Sequence, residues 1–403
     1  MTIKRQPSDF QVTEILSSEL LGTLRPEPGP VALYRLTKEG LSTPEAVNAV
    51  NRALRLPPRA LAYAGLKDKH ARSVQHVSLA LGDGLDEAPA HGEGPGWQLE
   101  RLGWVNRALQ ARDIAANEFR IVVRALTEEA CRDMDQAVGL LALPQDPGSE
   151  RRALRVVNYF GDQRFGSARH GHGFLARHLI RGEFEAALKL ALAVPARKDH
   201  RSVKEFKRAV EAGWGQWKEL LPKLRRCPER AAIERLARNP KDLRGAFCEL
   251  PYFFRQLCVY AYQSWLWNAI ARGVVALKCA EPGPVLSADD PFGEMLFPAA
   301  RSVPPELVEL DLPLLGYKTE LKEPWAAAAA SVLEAEGIVT AQLRIPRVRR
   351  PFFGEEPRRL FVQAAKFVLS AAEPDGQGRF RRTASFELPR GAYATVVLRA
   401  LGQ

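Results

Sequence analysis

Cysteine is scarce in this chain of 403 residues. The five present, Cys131, Cys227, Cys248, Cys258 and Cys279, lie far apart with no C-x-x-C pair. An odd count at such spacing argues against a disulfide framework and against a zinc knuckle. Long apolar runs are also missing. The longest uncharged one, at 325–333, is about half of the ~18 to 20 residues that cross a bilayer, so no membrane span is expected. The opening Met1-Thr2-Ile3-Lys4-Arg5-Gln6-Pro7 is basic, but Ser8, Asp9, Gln11 and Glu14 interrupt the apolar stretch that a secretory leader needs, which places the chain in the cytoplasm. G-x-S-x-G, H-E-x-x-H and G-x-x-x-x-G-K-[ST] do not occur, which removes the common hydrolase, zinc-protease and P-loop readings. Gly171-His172-Gly173-Phe174-Leu175-Ala176 spells G-x-G-x-x-A, yet no clear buried strand precedes it and no acidic residue follows at the dinucleotide-binding distance. His170, His172 and His178 have no nearby Cys or carboxylate cluster to complete a metal shell, so no metal site is assigned.

What is present is an ordinary globular balance, 46% hydrophobic and 26% charged, long enough for two or three domains. The charge is uneven. Positions 151–226 hold 18 Lys and Arg against 7 Asp and Glu, which accounts for the whole formal surplus of +11. A local basic field fits a polyphosphate partner, because each neutralised phosphate releases condensed counterions. Arg164, Arg169, Lys204, Lys207 and Arg208 are its candidate phosphate contacts. The bland alternative is a solvated helical surface.

Alternation of apolar and polar residues predicts strands at 9–14, 31–36, 61–65, 73–79, 119–126, 360–369 and 384–388. Ser42-Thr43-Pro44-Glu45 reads as a capping box opening a helix that Pro57-Pro58 stops. Helical periodicity marks 127–141, then 174–180, 183–194, 204–211, 217–224 and 252–277, and finally 391–401. A β-rich start, a helical middle and a β-rich end suggest one α+β domain interrupted by an insertion.

Two passages could carry chemistry. In Gly65-Leu66-Lys67-Asp68-Lys69-His70-Ala71 a single acid lies between two lysines on a loop whose glycine permits an unusual turn. Flanking cations favour the ionised carboxylate, suited to a nucleophile or general base; the bland reading is an exposed turn. In Asn158-Tyr159-Phe160-Gly161-Asp162-Gln163-Arg164-Phe165-Gly166, aromatics, amides and an Arg crowd into nine residues. Aromatic faces stack on unpaired bases and Arg clamps phosphate; the bland reading is a hydrophobic turn packed in a core.

These passages, together with Asp9-Phe10 through Glu14, Gln75, and Leu388-Pro389-Arg390-Gly391-Ala392-Tyr393-Ala394-Thr395, resemble the four ordered motifs of the TruD family of tRNA pseudouridine synthases. Leu312-Pro313-Leu314-Leu315-Gly316 and Ser264-Trp265-Leu266-Trp267-Asn268 are similar, more weakly, to its inserted domain. The resemblance implies an α+β fold: a pseudouridine synthase catalytic domain with a mixed, largely antiparallel sheet at 1–172 and 346–403, interrupted by a mostly helical TruD-type domain at 173–345. It implies that Asp68 is the catalytic aspartate, that Lys4 pairs with it, that Phe160 stacks on the target uracil, and that Asn158 holds the catalytic loop. Phe10, Glu14, Lys67 and Gln75 join Lys4, Asn158 and Phe160 as substrate-side residues. The partner implied is tRNA, with no protein partner, and the target by family resemblance is uridine 13. Isomerisation neither gains nor loses atoms, so no cofactor or metal is implied. A rival reading keeps the fold as an RNA-binding or RNA-chaperone protein without turnover, and another alternative is a synthase acting on other RNA.

Overall fold

The computed structural model describes residues 3–82, 87–144, 152–166, 168, 172–196, 199–279 and 283–402. They fall into two compact units: Met1–Val156 with Phe297–Ser302 and Val362–Gln403, and Val157–Leu296 with Val303–Phe361.

The first unit is built on a sheet of 11 strands among the described residues. Along it lie His91–Gly94, Trp97–Val105, Val31–Glu39, Arg72–Ala80, Phe10–Leu16, Ile114–Leu126, Arg379–Pro389, Phe361–Leu369 and Arg152–Val157. The sheet is mixed. Phe10–Leu16 runs parallel to Arg72–Ala80 and antiparallel to Ile114–Leu126, and Val31–Glu39 runs antiparallel to both its neighbours.

Alternation divides the side chains between two faces. On one, Tyr34, Leu36, Val77 and Leu79 meet Ala46, Val47 and Val50 of the Thr43–Ala53 helix. On the other, Leu33 and Val31 pack with Leu16, Val105 and Ile114. Each fully buried apolar side chain of this size contributes about 1.5 to 3 kcal/mol, so both faces of the sheet are covered by core. The capping box forms as read: Ser42 Oγ accepts from the Glu45 amide while Glu45 Oε2 accepts from the Ser42 amide.

Alternation predicted too little at some elements. The strand expected at 119–126 starts at Ile114, because Ala116 and Asn117 are paired on both sides, against Ile15 and Glu14 and against Pro389 and Leu388; two neighbours override a weak local preference. Trp97–Val105 was not predicted. Its period breaks at a bulge where Gly103 has φ +154° and a Cβ would lie 2.6 Å from the Arg25 carbonyl oxygen, so glycine is required there and the apolar pattern changes face. The last helix begins at Ala394 rather than 391, since Gly391 at φ +84° makes a turn before it.

The second unit is organised around the 27-residue helix Tyr252–Lys278. Val259, Tyr262, Ser264, Leu266, Trp267, Ile270 and Val274 are all buried, covering more than one stripe, as in a helix surrounded by protein. It packs against Ala326–Glu336 and Leu175–Ile180. Two of its buried polar groups are held by hydrogen bonds: Tyr262 donates to Glu336 Oε2 at 2.7 Å and Trp267 Nε1 donates to the Leu312 carbonyl at 2.9 Å. Among the described residues no helix is long and apolar enough to cross a membrane.

Candidate active site

Asp68 stands on the loop between Leu61–Tyr63 and Arg72–Ala80. Arg72–Ala80 and Phe10–Leu16 are parallel, with Gln11 opposite Arg72, so the segments leading into both strands arrive at the same edge. That register brings Lys4 to the loop. Its Nζ donates to Asp68 Oδ2 at 2.6 Å and sits 4.3 Å from the centre of the Phe10 ring. The side chains of Lys4 and Asp68 are 27% and 35% exposed, so the carboxylate is held and still open to a substrate.

The lysines beside Asp68 in sequence turn to other carboxylates. Lys67 Nζ pairs with Glu14 Oε1 at 2.8 Å and donates to Asn117 Oδ1 at 2.8 Å, while Lys69 Nζ pairs with Glu45 at 2.8 Å. Glu14 is buried on the strand face shared with Phe10 and Val12, and also accepts from the His76 amide at 2.8 Å. Burial pushes its carboxyl up, but the His76 hydrogen bonds and the Lys67 ammonium outweigh that and hold it below the ordinary range. Gln75, fully buried, accepts from Thr43 Oγ1 at 2.8 Å; that hydroxyl in turn accepts from the Lys67 amide at 2.9 Å.

Beneath the loop is Lys38, 1% exposed. Its Nζ donates to the carbonyls of Leu41 and Asp68 at 2.8 Å each and to Ser73 Oγ at 3.4 Å. Burial lowers its pKa to about 8 against the opposing pull of Asp68. The loop is thus tied by its backbone to Lys38, by its Lys67 side chain to Glu14 and by its carboxylate to Lys4. Gly65 does not have the expected unusual conformation: its φ is outside the left-handed region and a Cβ there would meet open space.

Phe160 belongs to the second unit. Its amide donates to Asn268 Oδ1 at 2.8 Å and its carbonyl accepts from Asn268 Nδ2 at 2.9 Å, so one carboxamide of the central helix grips the Phe160 peptide at both ends. The ring, 5% exposed, meets Trp267 edge-on at a centroid distance of 5.6 Å. The Arg358 guanidinium lies 4.0 Å from the ring centre and that of Arg164 5.3 Å. Arg358 also donates to the Asn158 carbonyl at 2.8 Å and to Asn158 Oδ1 at 2.6 Å, and Asn158 Nδ2 donates to the Arg359 carbonyl at 3.1 Å. Asn158 therefore organises the backbone next to Phe160, within its own unit.

The other basic candidates separate. Arg164 donates to Ser264 Oγ at 3.0 Å and lies 4.7 Å from the Tyr260 ring. Lys204 is half-buried and Arg208 is exposed. Lys207 is 5% exposed and paired at 2.6 Å with the partly buried Asp199, an ion pair that an incoming phosphate would have to break. Arg169, with His170 and Gly171, lies outside the described residues. Among the described residues no group of His, Cys, Asp and Glu is placed to hold a metal ion.

Sequence reasoning missed Lys38 and Arg358. Lys38 had a signal, a basic residue that strand alternation places inward with Leu36, whereas Arg35 on the same strand faces outward. Arg358 had none, since it follows Asn158 by 200 positions.

The family model of tRNA pseudouridine synthase D (TruD) matches residues 1–401. The chain is 30% identical over 409 residues to the tRNA pseudouridine synthase D of Aquifex aeolicus, covering 99% of this chain and 97% of that one. It is 31% identical over 398 residues to a Methanopyrus kandleri protein assigned to the same enzyme, covering 94% of this chain and 88% of that one. A crystal structure from Methanosarcina mazei, also assigned to TruD, superimposes with a TM-score of 0.71 at 24% identity over 99% of this chain and 92% of that one, a likeness of fold.

Proposed function

The chain belongs to the TruD family of tRNA pseudouridine synthases, and from that premise we propose that Asp68 is the carboxylate with which it isomerises one uridine of tRNA, uridine 13 by family resemblance. The observation that carries this reading is the Lys4–Asp68 pair at 2.6 Å: a carboxylate one-third exposed, on a loop tied down through Lys38 and Lys67.

The reaction breaks the N1–C1′ glycosidic bond, turns the uracil while it is held, and bonds C5 to C1′. The C5 hydrogen leaves as a proton and N1 takes one up, so the atoms balance without a co-reactant. A base stacked in RNA hides its glycosidic carbon, so the uridine is flipped out at a cost of a few kcal/mol. Base stacking and phosphate contacts offset that cost. In this reading Asp68 acts at C1′, at the uracil ring or on the C2′ proton, and Phe160, fixed by Asn268 and Arg358, supplies the aromatic face. Asn158 positions Phe160. Glu14, Gln75 and Lys67 hold the Asp68 loop in place, Lys4 and Phe10 flank the carboxylate, and Arg164, Lys204 and Arg208 remain the phosphate contacts.

Pseudouridine mapping of total RNA from cells with and without this protein tests the reading. The expected result is one tRNA uridine that loses its modification. An unchanged map, with tRNA binding intact in the purified chain, would favour a binding protein without turnover.

A further inference from the structure

Arg344, Arg347, Arg349 and Arg350 stand within seven residues of the second unit. All four are exposed, and among the described residues none is paired with a carboxylate. The segment that carries them is anchored. Leu343, Ile345 and Phe353 are buried at 0%, 4% and 3% exposure, and the carbonyls of Arg350 and Gly354 accept from Arg255 Nη1 at 2.8 Å and Gln263 Nε2 at 2.9 Å. Large rings lie on the same ground. Phe352, between the anchors, is 57% exposed, and at the start of the central helix Tyr252 and Phe253 are 45% and 69% exposed. Arg255 joins the two parts, with its guanidinium 5.7 Å from the Tyr252 ring centre while it holds the Arg350 carbonyl.

A surface made only for solubility mixes charges of both signs and hides its phenyl rings. This one carries four unpaired charges of one sign, all arginine, whose planar guanidinium both clamps phosphate and stacks on bases. Three exposed aromatic rings accompany them. Charge with π-faces is the complement of unpaired RNA, whereas an acidic protein needs the charge alone. We propose that the 344–350 loop with Phe352, Tyr252 and Phe253 is a docking surface for an unpaired stretch of the RNA substrate. This rests on the reading of tRNA as substrate and adds a contact to it.

The test is filter binding of the full chain to an unmodified tRNA transcript from about 50 to 200 mM salt, which reads phosphate contacts as the slope of log K against log salt. With Arg344, Arg347, Arg349 and Arg350 all changed to Gln, the slope should flatten by about three units, roughly 0.7 to 0.9 per lost contact. The thermal midpoint should hold, because the loop is tied through carbonyls and apolar anchors. Phe352→Ala should weaken binding about tenfold at constant slope, as loss of a stacked base does. Polyuridylate should displace this contact and polyglutamate of equal charge should not. A quadruple variant with the parent slope and affinity within twofold overturns the inference alone. Equal displacement by polyglutamate overturns it in favour of an acidic protein partner. A parent chain that fails to bind tRNA overturns it together with the proposed function, and these results are distinguishable in one titration series.

Discussion

The two clusters hold their central side chains by different means. Asp68 is set by charge: Lys4 at its carboxylate, Lys38 at its carbonyl, and the Lys67–Glu14 pair beside it, with Lys38 and Glu14 on strands of one sheet and Lys4 and Lys67 on segments leading into its strands. Phe160 is set by shape: Asn268 grips its peptide at both ends, Trp267 meets its edge, and Arg358 lies over its ring. In the proposed reading the difference follows from what each would have to present. A carboxylate that takes part in chemistry is controlled through nearby charge and a half-open position, whereas a stacking surface only has to be rigid and correctly turned. The first cluster should accordingly respond to charge changes and pH, and the second to changes of volume and planarity.

The largest expected effect is at Asp68 itself. Asp68→Asn should abolish pseudouridine formation in single-turnover assays while tRNA affinity changes by less than about tenfold, roughly 1.4 kcal/mol. Activity within an order of magnitude of the parent would take Asp68 out of the chemistry and remove the contrast.

Glu14→Gln comes next and acts on stability. It leaves the Lys67 ammonium, 12% exposed, without its buried partner, which should cost about 3 kcal/mol in urea unfolding. The sign with pH follows from the lowered folded-state pKa of Glu14. Its stabilisation is complete above the unfolded carboxyl value and is lost as pH falls through the folded one. The parent should therefore lose this increment in acid, and the Gln variant, which has none to lose, should show a flatter acid limb. Parallel acid limbs for the two proteins would mean that Glu14 is not the titrating support.

At the aromatic cluster Phe160→Leu keeps apolar volume and removes the π-face, so kcat/KM should fall by about ten- to a hundredfold with a small change in thermal midpoint. A drop in stability matching the drop in activity would make Phe160 a core residue and nothing more. The smallest effect sharpens the comparison. A double-mutant cycle of Phe160→Leu with Arg358→Met, read by urea unfolding, should give a coupling of about 0.5 to 2 kcal/mol, the range of a largely desolvated cation–π contact. The coupling should change little with salt, whereas that of the more open Lys4–Asp68 pair, about one-third exposed, should shrink.

Much of the first cluster was readable because its parts are local. The Ser42 capping box, the alternation that turns Glu14 inward, and the 65–71 loop with its single acid each lie within a few residues. The Phe160 surroundings were not readable, since Asn268 and Arg358 reach it from far along the chain. The basic loop of the second unit was hidden by counting: outside 151–226 the charges of the whole chain cancel, and carboxylates elsewhere in the sequence offset four arginines that, among the described residues, form no ion pair. The same count included Lys207, which the fold buries and pairs with Asp199.

Sequence alone therefore determined many of the segments that become strands or helices, though not Trp97–Val105 or Ala326–Glu336, and which residue types are available to react, because periodicity, capping and turn chemistry act over a few positions. The family resemblance named Lys4 as the partner of Asp68, but no local pattern in the sequence did, and only the tertiary structure shows the physical reason that this ammonium faces it. That choice depends on a parallel strand register bringing Lys4 to a carboxylate 64 positions away, while the adjacent Lys67 is drawn to a buried Glu14 whose charge is costly to leave unpaired.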